Sequence, residues 1–166
     1  TTTGTGSSQP QGIVVGASAG VTAAAVAAIT GDELIDLQHS VDVSYRNAAF
    51  NFGFMMHDTT CQAIRKLKDG DNQYLWQPGL RDGMPDLLLG AAVNVNNNMA
   101  ELATGNVTVL CGAFRKFCIR EVRRVRLYRL DERYRDNDQT GFIAFERYDS
   151  RVIDAGTNPI KKLTQA

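Results

Sequence analysis

Residues 112–152 read GAFRKFCIREVRRVRLYRLDERYRDNDQTGFIAFERYDSRV, and this stretch decides the fold. A first run, from Phe117 to Leu130, is rich in β-branched, aliphatic and aromatic residues, and a second run extends from Phe142 to Tyr148. The polar segment Asp136-Asn137-Asp138-Gln139 separates the two runs. Two such runs around a cluster of turn-forming residues predict a long β-hairpin.

The first arm of this hairpin is dense in basic residues. Nine of them lie on the arm or next to the turn: Arg115, Lys116, Arg120, Arg123, Arg124, Arg126, Arg129, Arg133 and Arg135. Arginine pairs well with carboxylates and phosphates, so this density requires partners. Three kinds remain open at this point: carboxylates of the same chain, carboxylates of neighbouring chains, and phosphates.

The charge of the whole chain bears on that choice. Its 166 residues include 18 Lys and Arg and 18 Asp and Glu, so the net charge is zero. A dedicated nucleic-acid-binding domain usually has a basic excess. The balance therefore favours charge pairing between copies of one chain. The length suits one domain or two small lobes.

Other features of the whole sequence bear on the cellular compartment of the protein and on whether the chain has been processed. Cys61, Cys111 and Cys118 form no disulfide-like pattern, which favours a reducing compartment. No apolar run is long enough to span a bilayer, and no signal peptide is recognisable, so we expect no membrane partner. The chain opens on TTTGTGSSQPQG rather than on Met, and we expect a fragment or a processed chain.

The order of the other predicted elements indicates an α+β fold without regular βαβ alternation. One helix begins at Asp32, and a second has Thr59 as its N-cap and ends at Gly70. The segment 16–31 is predicted to be a flexible connection or a weak helix, because AAAVAA favours helix. Strands are predicted at 13–15, within 46–56, and at 87–95, 107–111 and 159–163.

Catalytic and metal sites find little support in the sequence. His57 and Cys61 have the spacing of two zinc ligands on one helix face, but no third or fourth ligand accompanies them. The carboxylates of Asp131, Glu132 and Glu146 are better explained as partners of the arginines than as an acid/base pair. We expect no enzyme activity, no metal and no cofactor.

A nucleic-acid-binding module that uses the basic hairpin, residues 115–135, is the alternative. Phe114, Phe117, Tyr128 and Tyr134 are interleaved with its basic residues, as in single-strand binding surfaces. Apolar residues fall on both faces of the strand around Val125–Leu130, however. Both faces are therefore predicted to be covered by neighbouring structure, which disfavours an open binding platform.

An ordered series of segments carries a resemblance to a known family. The segments are GTGSSQPQGI, LIDLQHSVDVSYRNAAF, TTCQAIRKLKDGDNQYLWQPGL, GMPDLLLGAAV, GAFRKFCIREV, VRLYRLDERYRDNDQTGFIAFERYDSRV and NPIKKL. Together they resemble the major capsid proteins of tailed phages and prophages, which have the Hong Kong 97-like coat fold. The resemblance extends over the whole chain, and it rests on the order and spacing of the segments rather than on any one of them.

The resemblance implies a structural role and two lobes. It assigns residues 16–111 with 153–166 to an axial-type lobe, and residues 1–15 with 112–152 to part of a peripheral-type lobe. The N-terminal arm, extended loop and spine helix of the family would precede Thr1. The full-length protein would be made in the bacterial cytoplasm and would self-assemble, as pentamers and hexamers, into an icosahedral virion shell. Packaged phage DNA, bound non-specifically, and a scaffold or a maturation protease would be further partners.

Two groups of candidate site residues follow, the first from both lines of reasoning and the second from the resemblance alone. The subunit-interface candidates are Arg123, Arg126, Arg129, Asp131, Glu132, Arg133, Glu146 and Arg147. The candidates for a loop near the capsomer axis are Pro78, Gly79, Leu80, Arg81 and Asp82.

Overall fold

A mixed β-sheet with its two longer helices on one face organises most of the chain. A computed structural model describes residues 2–76, 86–122 and 124–166. The helices in this part are α1 (Ile13–Gly16), α2 (Gly31–Ser40) and α3 (Asp58–Arg65). Its strands are β1 (Ser18–Thr22), β2 (Phe52–Met56), β3 (Leu87–Leu88), β4 (Ala91–Val95), β5 (Val107–Ala113), β6 (Phe117–Glu121), β7 (Arg126–Leu130), β8 (Gly141–Phe145), β9 (Tyr148–Val152) and β10 (Ile160–Thr164).

Six of the strands form one sheet in the order β1-β10-β5-β2-β4-β3. The pairs β1–β10 and β2–β4 are parallel, and the other three pairs are antiparallel. The central strand β5 has the sequence VTVLCGA, and its residues after Val107 are all buried. The sequence of a strand that is buried on both faces is a continuous apolar run, and this pattern allowed 107–111 to be predicted as a strand.

Alternate residues of the central strands build two cores, one on each face of the sheet. On one face, Phe54 and Val109 pack in a cluster with Leu37 of α2 and Ile64 of α3. On the other face, Leu110 of β5 packs in a cluster with Ile13, Met99, Val152 and Ile160. Val152 belongs to β9, so the second core also fixes the base of the hairpin to the sheet.

A capping box begins α2, as the acidic first turn predicts. Thr30 Oγ1 accepts a hydrogen bond from Glu33 N at 3.3 Å, and Glu33 Oε2 accepts one from Thr30 N at 2.8 Å. Glu33 Oε1 also accepts from Ala24 N at 2.7 Å. Burial opposes ionisation, but the hydrogen bonds from the Thr30 and Ala24 amides outweigh it and lower the pKa of Glu33.

Replacing Thr30 with alanine is expected to lower the free energy of unfolding by about 1 kcal/mol, because the cap is lost. Glu33→Gln is expected to destabilise the protein only where wild-type Glu33 is ionised. The lowered pKa adds stability above the ordinary pKa of 4.5, and this contribution disappears as the pH falls through the folded-state value. Urea unfolding of wild type and both variants between pH 7 and pH 3 checks this. A Glu33→Gln defect that persisted unchanged at pH 3 would contradict it.

Two sequence predictions are wrong in the N-terminal region. Residues 13–15 begin the single helical turn α1 instead of a strand, because Gly16 N donates to Gly12 O and Ala17 N to Ile13 O. Segment 16–31 contains strand β1, paired in parallel with β10, and AAAVAA forms no helix. The backbone amides of Ala23 and Ala24 donate instead to Thr164 O and to Glu33 Oε1.

The second predicted helix differs at both ends. His57 is its N-cap, because His57 Nδ1 accepts a hydrogen bond from Thr59 N at 3.1 Å, and Thr59 lies in the first turn. The helix ends at Arg65 rather than at Gly70. After Arg65, Lys68 and Tyr74 pair in an antiparallel bridge, so the residues between them form a turn and not a further helical segment.

The predicted strand at 87–95 is a tight hairpin of two short strands, β3 and β4. Leu89 and Gly90 connect them with φ angles of +50° and +77°. Positive φ at both central residues is the geometry of a two-residue hairpin turn. Leucine is an unusual residue there, and the sequence therefore hides the turn inside an apolar run. The predicted helix at Asp32 and the strands within 46–56, at 107–111 and at 159–163 are confirmed.

Candidate subunit interface

The predicted hairpin over 112–152 is confirmed, but it consists of two ladders. The proximal ladder pairs β6 with β9, from Phe117 opposite Val152 to Glu121 opposite Tyr148. The distal ladder pairs β7 with β8, from Arg126 opposite Phe145 to Leu130 opposite Gly141. Val122 N donates to Arg147 O at 2.9 Å where the ladders meet. The loop 131–140, which contains the predicted polar break, joins β7 to β8.

The proximal ladder is firmly attached to the rest of the chain. Ser150 Oγ donates to Gln11 O at 2.8 Å, and Ile153 N donates to Lys116 O at 2.8 Å. Lys116 Nζ lies 2.6 Å from Asp154 Oδ2, and this hydrogen bond raises the pKa of Lys116. These contacts hold the base of the hairpin in place and leave the distal ladder projecting from it.

The distal ladder exposes apolar side chains on both faces. Opposite residues share a face, so Tyr128, Ile143 and Phe145 lie on one side, and Leu127 and Phe142 on the other. Tyr128 and Phe145 contact each other edge to face, with ring centroids 6.1 Å apart. Leu127 is 66% exposed and Phe142 is 62% exposed. The prediction of covered faces is therefore wrong for the described chain by itself.

Such a ladder requires a partner surface. An isolated two-stranded hairpin is marginally stable in water. Contiguous exposed apolar side chains on a protein surface mark sites of interaction. The distal ladder is both a two-stranded hairpin and a surface with exposed apolar side chains. Each of its two faces therefore requires a surface that packs against it.

The charge of the chain is divided between the hairpin segment and the remainder. Residues 112–152 contain eleven Lys and Arg and seven Asp and Glu, a net charge of +4. The rest of the chain contains seven and eleven, a net charge of −4. A basic hairpin and an acidic body of equal and opposite charge are complementary between copies of one chain.

The chain matches the model of the phage capsid family over residues 1–165. The chain belongs to this family. No curated protein matches it.

Solved structures resemble this member of the phage capsid family over nearly its whole length. The capsid of an empty GTA particle, computed with C5 symmetry, is 26% identical, with a TM-score of 0.77 over 97% of this chain and 58% of that one. The capsid of a native GTA particle is 26% identical, with a TM-score of 0.76 over 99% and 64%. Gordonia phage Cozz, at 15% identity and a TM-score of 0.59, shares the fold over 96% and 53%. The chain thus has an α+β phage coat fold and spans about three fifths of the length of the GTA capsid chains.

The candidate interface residues of this capsid-family chain occupy different environments. Arg126 and Arg147 line one cavity, together with Arg124, which the sequence prediction omitted. Arg129 Nε lies 2.5 Å from Asp131 Oδ1 of the same chain, so this pair is already formed within one subunit. Arg133 lies over the Tyr134 ring, 5.8 Å from its centroid. Glu132 and Glu146 are exposed on the surface. Arg123 and the axial-loop candidates 78–82 lie outside the described residues.

Sequence reasoning missed the exposed apolar residues as the binding elements. The sequence predicts that both faces of the strand around Leu127 are covered, because β-prone apolar residues usually face a core. One feature of the sequence could have identified them: apolar residues occur on both faces of a strand that follows a densely charged segment.

Nucleophilic and metal chemistry find no arrangement within 2–76, 86–122 and 124–166. No group of three His, Cys, Asp or Glu residues that could hold a metal ion occurs there. Burial raises the pKa of the Cys61 thiol, and it raises that of Cys111 to about 12. Both thiols are therefore protonated at neutral pH and chemically inert. Among the described helices, none has the length and apolar character needed to cross a membrane.

Proposed function

We propose that this chain forms most of a major capsid subunit, which binds copies of itself in capsomers and in a closed icosahedral shell around phage DNA. The observation that carries the proposal is the distal ladder of a phage capsid family member, which is apolar on both faces and is left exposed by the described part of the chain. The two GTA capsids, which were computed with C5 symmetry, support a ring of subunits.

The strength of such contacts comes from apolar burial more than from ion pairs. Fully burying a Leu or Phe side chain contributes about 1.5–3 kcal/mol, and somewhat less when the side chain is already partly covered. An exposed ion pair such as Arg129–Asp131 contributes about 0–1 kcal/mol. Because symmetry repeats the same modest contacts many times, the whole shell is stable, while each single contact is weak enough for a wrongly placed subunit to dissociate. The arginines then determine register and partner choice.

The finer arrangement follows the capsid interpretation. Residues 16–111 with 153–166 form the axial-type lobe, with loop 78–82 close to the capsomer axis, and residues 1–15 with 112–152 belong to the peripheral-type lobe. The subunit is synthesised in the bacterial cytoplasm and ends in the virion. It contacts packaged DNA non-specifically, and a scaffold or a maturation protease takes part in assembly. The role is structural rather than enzymatic.

Assembly of the full-length protein tests the proposal. After expression and nuclease treatment, sedimentation velocity and negative-stain electron microscopy are expected to show capsomer rings or closed shells. A protein that stayed monomeric at all concentrations, and that bound short oligonucleotides at nanomolar concentration with a steep salt dependence, would contradict the proposal. That result would support the nucleic-acid-binding alternative.

A further inference from the structure

A small cavity lies where the two ladders of the hairpin meet. Its volume is about 220 Å³. Three arginines line it: Arg124 in the connection before β7, Arg126 at the start of β7, and Arg147 between β8 and β9. Val122, Tyr128 and Phe145 complete the wall. We call this cavity the arginine pocket.

The charge of the arginine pocket is uncompensated within the described chain. Among the residues that the structure describes, no acidic one lines the pocket. Elsewhere the described basic residues include paired ones, since Arg65 contacts Asp86, Lys116 contacts Asp154, and Arg129 contacts Asp131. None of the pocket arginines forms an ion pair with any residue in 2–76, 86–122 or 124–166. Three like charges around one small volume repel each other, and an anion between them relieves that repulsion.

The size and walls of the arginine pocket select the kind of anion. A volume of about 220 Å³ is smaller than the roughly 300–1,000 Å³ of most small-molecule sites. It suits one carboxylate side chain, held by guanidinium groups that donate paired hydrogen bonds. The Tyr128 and Phe145 rings and Val122 favour an occupant with apolar atoms next to the charge. A nucleic-acid strand would instead need a groove that tracks successive phosphates.

We infer that the arginine pocket receives an Asp or Glu side chain from a second copy of this chain. The acidic donor lies in the remainder of the chain, residues 1–111 and 153–166, whose net charge of −4 matches the +4 of the hairpin segment. The inference rests on the proposed self-assembly and adds a specific contact to it. The apolar faces of the distal ladder supply strength, and the pocket sets the register of one subunit against the next.

Charge reversal in the full-length protein tests the inference. Arg126→Glu is expected to raise the protein concentration required for assembly at least tenfold, and Arg126→Lys, which keeps the charge but loses the planar fork, by a smaller factor. Arg151→Glu is the matched control, because Arg151 is exposed on the same hairpin outside the pocket, and it is expected to change assembly less than twofold. Circular dichroism verifies that each variant is folded.

A second-site scan identifies the donor. In the Arg126→Glu background, each Asp and Glu outside the hairpin segment is replaced by lysine, and at least one double variant is expected to recover assembly. If no replacement restores assembly, or if Arg126→Glu assembles like wild type, the inference fails although the wild type still forms shells. If the wild type itself does not assemble, the proposed function fails. If Arg126→Glu abolishes tight oligonucleotide binding and leaves assembly unchanged, the anion is nucleic acid and the inference is overturned.

Discussion

Replacing Leu127 with aspartate in the full-length protein is expected to prevent shell formation while leaving the subunit folded. Leu127 lies with Phe142 on one face of the distal ladder, is 66% exposed, and belongs to neither core cluster of the described chain. A charge at that position costs little in the free subunit. In an interface it would be buried without a partner, at a cost of several kcal/mol per contact. Repeated over every subunit of a shell, that cost prevents assembly.

Sedimentation velocity measures the fraction of protein in shells, and circular dichroism measures the fold. Val43→Asp is the matched control, because Val43 is an aliphatic residue that is 73% exposed, lies outside the hairpin segment 112–152 and receives the same change. The control is expected to assemble like wild type. Normal shells from Leu127→Asp would show that the distal ladder contributes little to assembly.

Replacing Gly112 with alanine is expected to destabilise the subunit strongly. A Cβ at this position would lie 2.3 Å from Pro159 O and 2.7 Å from Ile160 Cα, in a backbone with a φ of +152°. Both contacts are with backbone atoms of the neighbouring strand region, which cannot rotate away. Gly112 is also opposite Gly53 and Ile160 in the centre of the sheet, so a shift of β5 would disturb both neighbours.

We expect Gly112→Ala to lower the free energy of unfolding by about 3 kcal/mol, at the upper end of ordinary single substitutions. Gly70→Ala is the control, because an added Cβ meets nothing within 4 Å there. It is expected to change stability by less than about 0.5 kcal/mol. Urea unfolding of the unassembled protein gives both values. Equal stability of the two variants would mean that β5 and β10 do not approach each other this closely.

The elements that could be predicted from the sequence are those with local signals. Helix α2 follows from the acidic residues Asp32 and Glu33 and from the helical spacing of Leu34 and Leu37. The hairpin follows from two β-prone runs around a polar turn. Strand β1 could not be predicted, because its partner β10 comes from the far end of the chain and leaves no local signal in residues 18–22. The β3–β4 turn was missed because leucine occupies a position with positive φ.

The candidate interface, too, could be predicted from the sequence only in part. Its basic character and its location on the hairpin could be predicted, since both are properties of sequence composition. The convergence of Arg124, Arg126 and Arg147 could not, because the break between the two ladders interrupts the regular alternation of side chains on a strand. The intrachain pairing of Arg129 with Asp131 could not be predicted either, and because of it two of the predicted interface residues pair with each other within one subunit.

Cryo-electron microscopy of nuclease-treated particles of the full-length protein tests the central claim most directly. The decisive feature is the density around Leu127 and Phe142. The account predicts closed shells in which a neighbouring subunit packs on this face of the distal ladder. Shells in which Leu127 and Phe142 face solvent, or preparations without capsomers or shells, would contradict it.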